Sequence, residues 1–309
     1  MSRLIGTGAS EPGKDRFSDD PLAWAAERSV HHSSYPAARI AAERELSVSV
    51  CLPARECADT VGEIVGALVE LRRAGAIDEI VVVDACSEDG TADVAERAGA
   101  TVFAETELLP SYGPVLGKGD AMWRALSVLE GELICFLDAD TEGFSAHFAS
   151  GLLGPLVCEP GVSFVKAHYR RPLAAGDATV RTGGGRVNHL TARPALALFY
   201  PQLAQVRQPL AGEVAATREL LERVPFMTGY GVETAMLIDV WRTVGLEGMA
   251  QVDLEEHLNR HQPLSALEPM AATVLATIAR RLEQEGRLTG PPHAGAPVER
   301  PPMAGVPVA

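Results

Sequence analysis

The sequence predicts an α/β fold in which helices flank a mostly parallel, Rossmann-like sheet. Two near-continuous apolar runs, Glu79–Asp84 and Glu132–Asp138, are typical of strands that are buried on both faces of a parallel sheet. Segments with helical spacing of apolar residues separate these runs from other short strands, as the alternating order of such a fold requires. Polar clusters follow several of the strands, at the end where open α/β sheets bind their ligands.

The expected elements follow the chain in order. Residues 1–20 form a polar leader that we expect to be mobile, and residues 21–45 form two helical pieces that are separated at Pro36. The expected strands are Ser47–Pro53, Glu79–Asp84, Thr101–Ala104, Glu132–Asp138 and Val162–Lys166. The expected helices are Thr60–Arg73, Gly90–Gly99, Asp120–Glu130 and a last one from about Pro263 to Glu285.

This order of elements indicates one main domain over residues 46–265. The leader and helices of residues 1–45 precede it, and a C-terminal helix follows at residues 266–289. Residues 290–309 are rich in proline, glycine and alanine, so we expect a flexible tail that is disordered or lies on the surface.

The charge of the chain excludes several classes of partner. The 309 residues include 27 basic and 41 acidic ones, which gives a formal net charge of −14. Such a surface repels nucleic acid and anionic lipid, and an anionic substrate needs a local basic pocket or a divalent cation. The N-terminus has no apolar core of signal-peptide length, and no apolar run is long enough for a membrane span. We therefore expect a cytoplasmic protein with no membrane and no nucleic-acid partner.

Two acidic motifs follow the apolar strands. Asp138-Ala139-Asp140 places two carboxylates on alternate residues just past a buried strand, where a hard divalent cation bound to diphosphate would offset their charge. A solvated turn is an equally good interpretation of this motif alone. Asp84 ends the other apolar strand, and it either caps the following helix or hydrogen-bonds a nucleotide base or ribose.

Two glycine-rich motifs could hold phosphate. In Gly117-Lys118-Gly119 the glycines let the backbone approach a phosphate while the lysine neutralises it, although a plain surface lysine fits equally well. This motif is not a Walker A loop, because its spacing and its last residue differ. In residues 182–186, three glycines precede Arg186, whose guanidinium suits a phosphate or a carboxylate. The alternative is a flexible hairpin tip.

Two further clusters lie in the C-terminal half. Glu233 follows Gly229-Tyr230-Gly231, where it either favours the dipole of the next helix or orients a sugar hydroxyl. His257 and His261 are four residues apart and share a face if the segment is helical. One of them is a candidate metal ligand, and a structural or exposed histidine is the alternative for each.

Together these motifs resemble the glucosyl-3-phosphoglycerate and mannosyl-3-phosphoglycerate synthases, which are retaining glycosyltransferases of the GT-A fold. The matching stretches are LPAREC, VVVDACSEDGTADVA, GKGDAMWRAL, FLDADTEGF, GLLGPL, VKAHYRRPL, TGGGRVNHLTARP, QPLAGE, PFMTGYGVE and RHQPL. They occur in order over residues 47–265, and GKGDAMWRAL and the YRRPL and TGGGRV pair are specific to this group.

The resemblance implies a metal-dependent transfer of a hexose from a nucleotide-sugar to the 2-hydroxyl of 3-phosphoglycerate. Mg²⁺ or Mn²⁺ would be the cofactor, a homodimer the assembly, residues 46–145 the nucleotide-sugar half and residues 146–265 the acceptor half. It assigns the nucleotide-sugar to Leu52, Pro53, Ala54, Glu56, Asp84, Lys118, Asp138, Ala139, Asp140, Tyr230 and Glu233. It assigns the acceptor to Gly184, Gly185, Arg186, Asn188 and His261, and the metal to Asp140 and His257. The catalytic residues would be Lys118, Asp140, Arg186 and Glu233.

The chain departs from the family pattern at three places. It has PAREC where the family often has PALNEE, and Asp84-Ala-Cys-Ser87 where the family often has DSGS. The second difference leads us to favour GDP-mannose as the sugar donor, with UDP-glucose as a second one. An ungapped alignment places Asn259 at the metal histidine of the family, so we expect His257 to be the ligand and His261 to face the acceptor.

Two other functions share these features. A nucleotidyltransferase would use the same sheet and metal carboxylates but would release pyrophosphate. A non-catalytic nucleotide-sugar sensor would keep the pocket without turnover, although the full set of DxD, GKG and GGGR motifs disfavours it. A lipid-acceptor transferase is disfavoured by the negative charge and by the missing membrane segment.

Overall fold

The computed structural model describes residues 20–175, 178–180, 184–258, 263–289 and 298–307. Its α-helices are α1 (Pro21–Arg28), α2 (Ala37–Glu43), α3 (Val61–Arg73), α4 (Thr91–Ala98), α5 (Lys118–Ala125), α6 (His147–Cys158), α7 (Arg193–Phe199), α8 (Arg218–Arg223), α9 (Val232–Val244) and α10 (Leu264–Gln284). Its strands are β1 (Ser29–His31), β2 (Val48–Ala54), β3 (Glu79–Asp84), β4 (Thr101–Ala104), β5 (Leu133–Phe136), β6 (Phe164–Arg170), β7 (Leu173–Ala175), β8 (Ala178–Val180), β9 (Val214–Thr217), β10 (Phe226–Met227), β11 (Met249–Glu256) and β12 (Glu299–Arg300).

Eight strands form one central sheet in the order β1-β11-β6-β9-β5-β2-β3-β4. All neighbouring pairs in this sheet are parallel except those of β9, which is antiparallel to both β5 and β6. The predicted α/β class with a mostly parallel sheet is therefore confirmed. No helix within the described ranges is long and apolar enough to cross a membrane.

The sheet is buried on both faces, as its apolar strands predicted. In β3, Val81 and Val83 pack in one core cluster, while Ile80 and Val82 pack in the cluster on the opposite face. Successive side chains of a strand point to opposite faces, so a run without polar alternation requires a core on each side. The helices provide these two cores.

Strand β9 places its own first residues at the ligand-binding edge. A parallel strand presents its carboxyl end there, but an antiparallel strand presents its amino end. Glu213, which directly precedes β9, therefore lies beside the segment that follows β5 and contains Asp138. Strand β9 could not be predicted from the sequence, because its four small residues show no alternation of apolar and polar side chains.

The N-terminal segment is part of the main fold rather than a preceding unit. β1 pairs in parallel with β11 at the edge of the central sheet. The Trp24 side chain is buried, and its indole N–H donates to the carbonyl of Met249 at 2.9 Å. The expected boundary at residue 45 thus divides elements that share one sheet, while residues 1–19 lie outside the described ranges.

The expectation of a flexible tail is wrong for residues 298–307. β12 pairs with β10, and the Thr228 N–H donates to the carbonyl of Val298 at 2.9 Å. The Arg300 guanidinium donates to both carboxylate oxygens of the fully buried Asp120, at 2.8 and 2.7 Å. Arg124 is the other buried cation on Asp120, at 3.2 Å, and Arg300 adds two shorter bonds. This segment is therefore held by electrostatics that its composition does not reveal. Residues 290–297, also assigned to the tail, lie outside the described ranges.

We predict that Arg300→Met lowers the free energy of unfolding by about 3 kcal/mol, because breaking a buried ion pair leaves Asp120 with less compensation for its charge. Denaturant titration of the full chain measures this loss. Arg73→Met is the matched control, since the Arg73 pair with Glu70 is exposed and contributes little. An Arg300→Met variant as stable as the wild type would show that this segment does not support the fold.

Candidate active site

The ligand-binding edge of the sheet holds an ion-pair cluster around Lys118. Its ammonium lies 2.5 Å from Oδ1 of Asp138 and 3.1 Å from Oε1 of Glu233. Lys118 begins α5, two residues earlier than the predicted helix start, and Glu233 lies in the first turn of α9. Lys118 thus contacts both the acidic motif after β5 and Glu233, which lies 115 positions after Lys118 in the chain.

Two glycines make the approach of these groups possible. A Cβ atom at Gly212 would lie 2.4 Å from Nζ of Lys118 and 2.3 Å from Oδ1 of Asp138. A Cβ at Gly119 would lie 2.0 Å from the carbonyl oxygen of Met227, next to the turn that precedes α9. Neither position can hold a side chain without displacing the charged cluster or the backbone beside it.

The carboxylates keep Lys118 charged. Burial alone lowers the pKa of Lys118, but the charges of Asp138 and Glu233 outweigh this effect and raise the pKa above its ordinary value. A second buried lysine, Lys166, donates to the carbonyl of Ala211 at 2.6 Å. Burial lowers the pKa of Lys166 to about 8, with Glu233 acting in the opposite direction. The edge of the sheet therefore places two buried lysines among its carboxylates.

Beside this cluster, Glu213 and His257 form a buried pair. Oε1 of Glu213 lies 2.7 Å from Nε2 of His257, and Oε2 accepts a hydrogen bond from Tyr169 at 2.7 Å. Arg171 donates to the Tyr169 hydroxyl at 2.9 Å, and the Tyr169 ring stacks on the His257 ring at 4.5 Å. Burial favours a neutral Glu213, yet the interactions with His257, Arg171 and Tyr169 hold its pKa below the ordinary value.

This arrangement fits a divalent cation. A carboxylate can only accept, so Nε2 of His257 carries the proton of their hydrogen bond, and Nδ1 is the ring nitrogen that a metal could take. Nδ1 is buried, and no described residue forms a hydrogen bond with it. Ligand atoms of Asp138, Glu213 and His257 lie within 4.8 Å of one another. Imidazole nitrogen and carboxylate oxygen together suit Mn²⁺ as well as Mg²⁺.

Asp140 lies at the mouth of this site with an exposed side chain. Partial desolvation of the Asp140 carboxylate and the charge of Asp138 raise the pKa of Asp140, while the charges of Lys118 and His257 lower it. Within the described part of the chain, no basic side chain forms an ion pair with Asp140, whereas Asp138 is paired with Lys118. The charge of Asp140 is therefore the less compensated one of the DxD pair.

The predicted nucleotide residues gather at the ends of β2 and β3. The Asp84 carboxylate is buried and accepts from the backbone and hydroxyl of Ser87 at 2.9 and 2.7 Å, as a cap of the following turn would. Glu56 has a positive φ of 52° and accepts from the Glu88 N–H. Ala54 and Ala139 are buried, Pro53 is half-buried, and the Leu52 side chain is fully buried in the core. Leu52 can thus offer a ligand only its backbone.

The predicted acceptor residues are described only in part. Gly184 packs so tightly on Arg171 that a Cβ would lie 2.6 Å from the Arg171 Cβ, and Gly185 has a φ of +68°. Asn188 is buried, and its amide bonds the backbone of Arg207 and Leu210 at 3.4 Å, so it supports this loop. Arg186 begins the helical segment that follows the glycines.

Of the remaining predicted positions, only Tyr230 lies within the described residues. Tyr230 is 55% exposed in the turn before α9. His261 and Asn259 lie outside the described residues, as do Thr182 and Gly183.

Sequence reasoning did not identify four residues that the structure brings to the site. They are Lys166, Tyr169, Gly212 and Glu213. All four occur in the stretches VKAHYRRPL and QPLAGE, which were noted as motifs without a role for their individual positions. A charged residue inside an apolar strand, as Lys166 is in β6, was the signal that could have found one of them.

Comparisons with known proteins identify the relatives of this chain. Residues 49–149 match the family model for glycosyl transferase family 2. Glucosyl-3-phosphoglycerate synthase of Petrotoga mobilis is 41% identical over 267 residues, covering 84% of this chain and 82% of that protein. The enzyme of that name from Mycolicibacterium smegmatis is 43% identical over 259 residues, covering 84% and 85%.

Two solved structures extend the likeness. The mannosyl-3-phosphoglycerate synthase of Rubrobacter xylanophilus superposes with a TM-score of 0.85 at 48% identity, over 93% of this chain and 98% of that one. The glucosyl-3-phosphoglycerate synthase of Mycobacterium tuberculosis, solved with Mn²⁺, UDP-glucose and phosphoglyceric acid, superposes with a TM-score of 0.78 at 36% identity, over 89% and 97%. The GT-A form of the α/β fold is thereby established for this chain.

Proposed function

Since the chain belongs to the family of glucosyl-3-phosphoglycerate and mannosyl-3-phosphoglycerate synthases, we propose that it transfers a hexose from a nucleotide-sugar to the 2-hydroxyl of 3-phosphoglycerate. The anomeric configuration of the sugar is retained in this reaction. The observation that carries the proposal is the cluster in which Lys118 contacts Asp138 and Glu233 beside the buried pair of Glu213 and His257. This cluster combines a fixed cation with donor atoms for a metal at one edge of the sheet.

Asp140 and His257 hold the divalent cation in this proposal. Asp140 has the less compensated carboxylate of the DxD pair, and Nδ1 of His257 forms no hydrogen bond with any described residue. Glu213 supports His257 through their hydrogen bond and does not itself bind the metal. A carboxylate in this position fixes the tautomer of a metal-bound histidine and increases its basicity. When bound, Mg²⁺ or Mn²⁺ supplies positive charge that stabilises the departing nucleoside diphosphate.

Lys118 provides the second positive charge for the leaving diphosphate. Its ammonium stays protonated because its pKa is raised, and the two carboxylates fix its position before substrate arrives. Such preorganised charge lowers the barrier without a reorganisation step. Glu233, held by Lys118 at 3.1 Å, is placed to accept hydroxyls of the transferred hexose.

The acceptor binds at the loop of Gly184, Gly185 and Arg186. The Gly184 N–H already donates to the carbonyl of Arg171 at 3.1 Å. The N–H groups of Gly185 and Arg186 and the Arg186 guanidinium suit the phosphate and carboxylate of 3-phosphoglycerate and bring the 2-hydroxyl to the sugar. We propose a front-face reaction. The C–O bond to the diphosphate breaks as the 2-hydroxyl oxygen bonds to the anomeric carbon, and a leaving phosphate oxygen takes the hydroxyl proton. Glu233 is already engaged with Lys118, which disfavours it as a covalent nucleophile.

The family has two kinds of sugar donor, and we propose that this chain prefers GDP-mannose and also uses UDP-glucose. The preference rests on the departure of Asp84-Ala-Cys-Ser87 from the DSGS pattern of the family. We expect GDP-mannose to give the higher kcat/KM, with Mg²⁺ sufficient as the metal.

The decisive assay combines 3-phosphoglycerate and Mg²⁺ with each sugar donor in turn and identifies the nucleotide released. Release of the nucleoside diphosphate together with a hexosyl-3-phosphoglycerate supports the proposal. Release of pyrophosphate would instead identify a nucleotidyltransferase, and no turnover with either sugar donor would remove 3-phosphoglycerate as acceptor.

We further propose that the chain acts as a cytoplasmic homodimer. Leu190 and Leu198, about two helical turns apart, expose 77% and 73% of their surface and offer an apolar contact for a second copy. Light scattering should give twice the mass of one chain, and Leu198→Asp should reduce this value. A monomer at working concentration would contradict the proposal.

A further inference from the structure

A second group of metal-ligating side chains lies at the free edge of the sheet, outside the active site. His31 ends β1, His32 begins the turn after it, and Glu255 lies near the end of β11. Ligand atoms of these three residues lie within 4.8 Å of one another. The proposed function uses none of them.

The two distances from Glu255 to the histidines are longer than hydrogen bonds and match the spacing of ligands around a metal ion. Oε1 of Glu255 lies 3.6 Å from Nε2 of His31 and 3.4 Å from Nε2 of His32. A hydrogen bond between such atoms is about 2.9 Å long. Around a tetrahedral zinc ion with bonds of about 2.05 Å, neighbouring ligand atoms lie about 3.4 Å apart. Nε2 of His32 is moreover a buried atom without a hydrogen-bond partner among the described residues.

The surrounding residues hold the three ligands in place. Nδ1 of His31 lies 2.8 Å from the Ser33 hydroxyl and 3.2 Å from the Ser33 backbone N–H. A metal at Nε2 requires that Nδ1 carry the ring proton and donate it to this hydroxyl, in place of accepting from the backbone N–H. The His147 ring lies against His32 at 4.2 Å, and its own Nε2 faces the carbonyl of Leu254 at 3.2 Å. Glu255 has a φ of +67°, a conformation that non-glycine residues rarely adopt, and its N–H donates to Asp253 at 2.9 Å.

From this geometry we propose that His31, His32 and Glu255 form a second metal site, which binds a divalent ion of the zinc class. Two imidazole nitrogens and one carboxylate suit Zn²⁺ far better than Mg²⁺, and a water molecule completes the tetrahedron. The ion fastens the N-terminal strand β1 to the end of β11, two residues before His257. It is structural, and it does not depend on the transferase proposal.

The test is equilibrium dialysis of the full-length protein against Zn²⁺ alone, with bound zinc measured per chain. We compare the wild type with Glu255→Gln and with the double variant His31→Asn/His32→Asn. The matched control is Glu256→Gln, because Glu256 is the adjacent exposed carboxylate and lies 3.5 Å from Arg170 instead. Each comparison is repeated with His257→Ala, which removes zinc bound at the proposed active-site metal.

We expect Glu255→Gln and the histidine double variant to bind one zinc fewer than the wild type and Glu256→Gln, with and without His257→Ala. The affinity of the second site should fall by at least about 100-fold, since even the loss of an outer partner of a metal ligand costs 10–100-fold. Equal zinc in Glu255→Gln and the wild type would overturn the proposal, as would a His257→Ala protein that binds no zinc. Circular dichroism confirms that each variant is folded.

Discussion

Replacement of Asp140 by alanine is expected to lower metal-dependent kcat/KM by about 1,000-fold, which corresponds to the several kcal/mol that a metal contributes to the transition state. Asp140 has the one carboxylate of the DxD pair that is not neutralised by Lys118. Its removal leaves His257 as the only predicted metal ligand. Initial rates measured over a range of Mg²⁺ and Mn²⁺ concentrations should show both a lower maximum and a weaker dependence on metal.

The stability of the same variant distinguishes a lost ligand from a damaged fold. The pKa of Asp140 is raised by partial desolvation and by Asp138, so Asp140 costs the folded state some free energy. The Asp140→Ala protein should therefore unfold at the same denaturant concentration as the wild type, or at a higher one. Asp93→Asn, at an exposed carboxylate in the first turn of α4, is the control with normal activity. Near-normal turnover in Asp140→Ala would remove the metal assignment.

The central sheet could be predicted because its strands carry their own signal. β3 and β4 have the bounds that the sequence predicted. In β3 the reason is an uninterrupted run of branched apolar residues, which is compatible with little other than a strand buried on both faces. The convergence of Asp84 and Asp138 followed from the same rule, because parallel strands present their carboxyl ends at one edge. Local pattern and topology were sufficient for this half of the site.

The remaining parts depend on contacts between distant segments. β1 and β12 contain three and two residues, too few to show an alternation of apolar and polar side chains. β1 is a strand only because it pairs with β11, and β12 only because it pairs with β10. The buried Arg300 lies in a stretch whose proline and glycine content predicts disorder. The contact between Lys118 and Glu233 likewise requires the packing of α5 against the turn before α9, which no local sequence pattern encodes.

Replacement of Lys118 by methionine is expected to lower kcat by about 1,000-fold, the upper range for loss of one preorganised electrostatic contact. Lys118 forms ion pairs with Asp138 and Glu233 in addition to its proposed role at the leaving diphosphate, so the variant also leaves two acidic groups without their common cation. We therefore expect the free energy of unfolding to fall by about 3 kcal/mol. Stopped-time assays at saturating sugar donor measure the first effect, and denaturant titration measures the second.

Two further variants separate the charge of Lys118 from its exact position. Lys118→Arg keeps the charge, but the guanidinium is larger than the ammonium. The space beside Nζ is narrow, since a Cβ at Gly212 would lie 2.4 Å from it, so we expect little recovery of kcat.

Gly212→Ala keeps the lysine and should displace its ammonium, with a loss of about 100-fold in kcat. Gly66→Ala is its control, because a Cβ at Gly66 in α3 meets no atom within 4 Å. Full activity in both Lys118→Arg and Gly212→Ala would mean that the ammonium is not held in position for the leaving group. A loss in Gly212→Ala without a loss in Gly66→Ala would instead show that catalysis depends on where this one charge is placed.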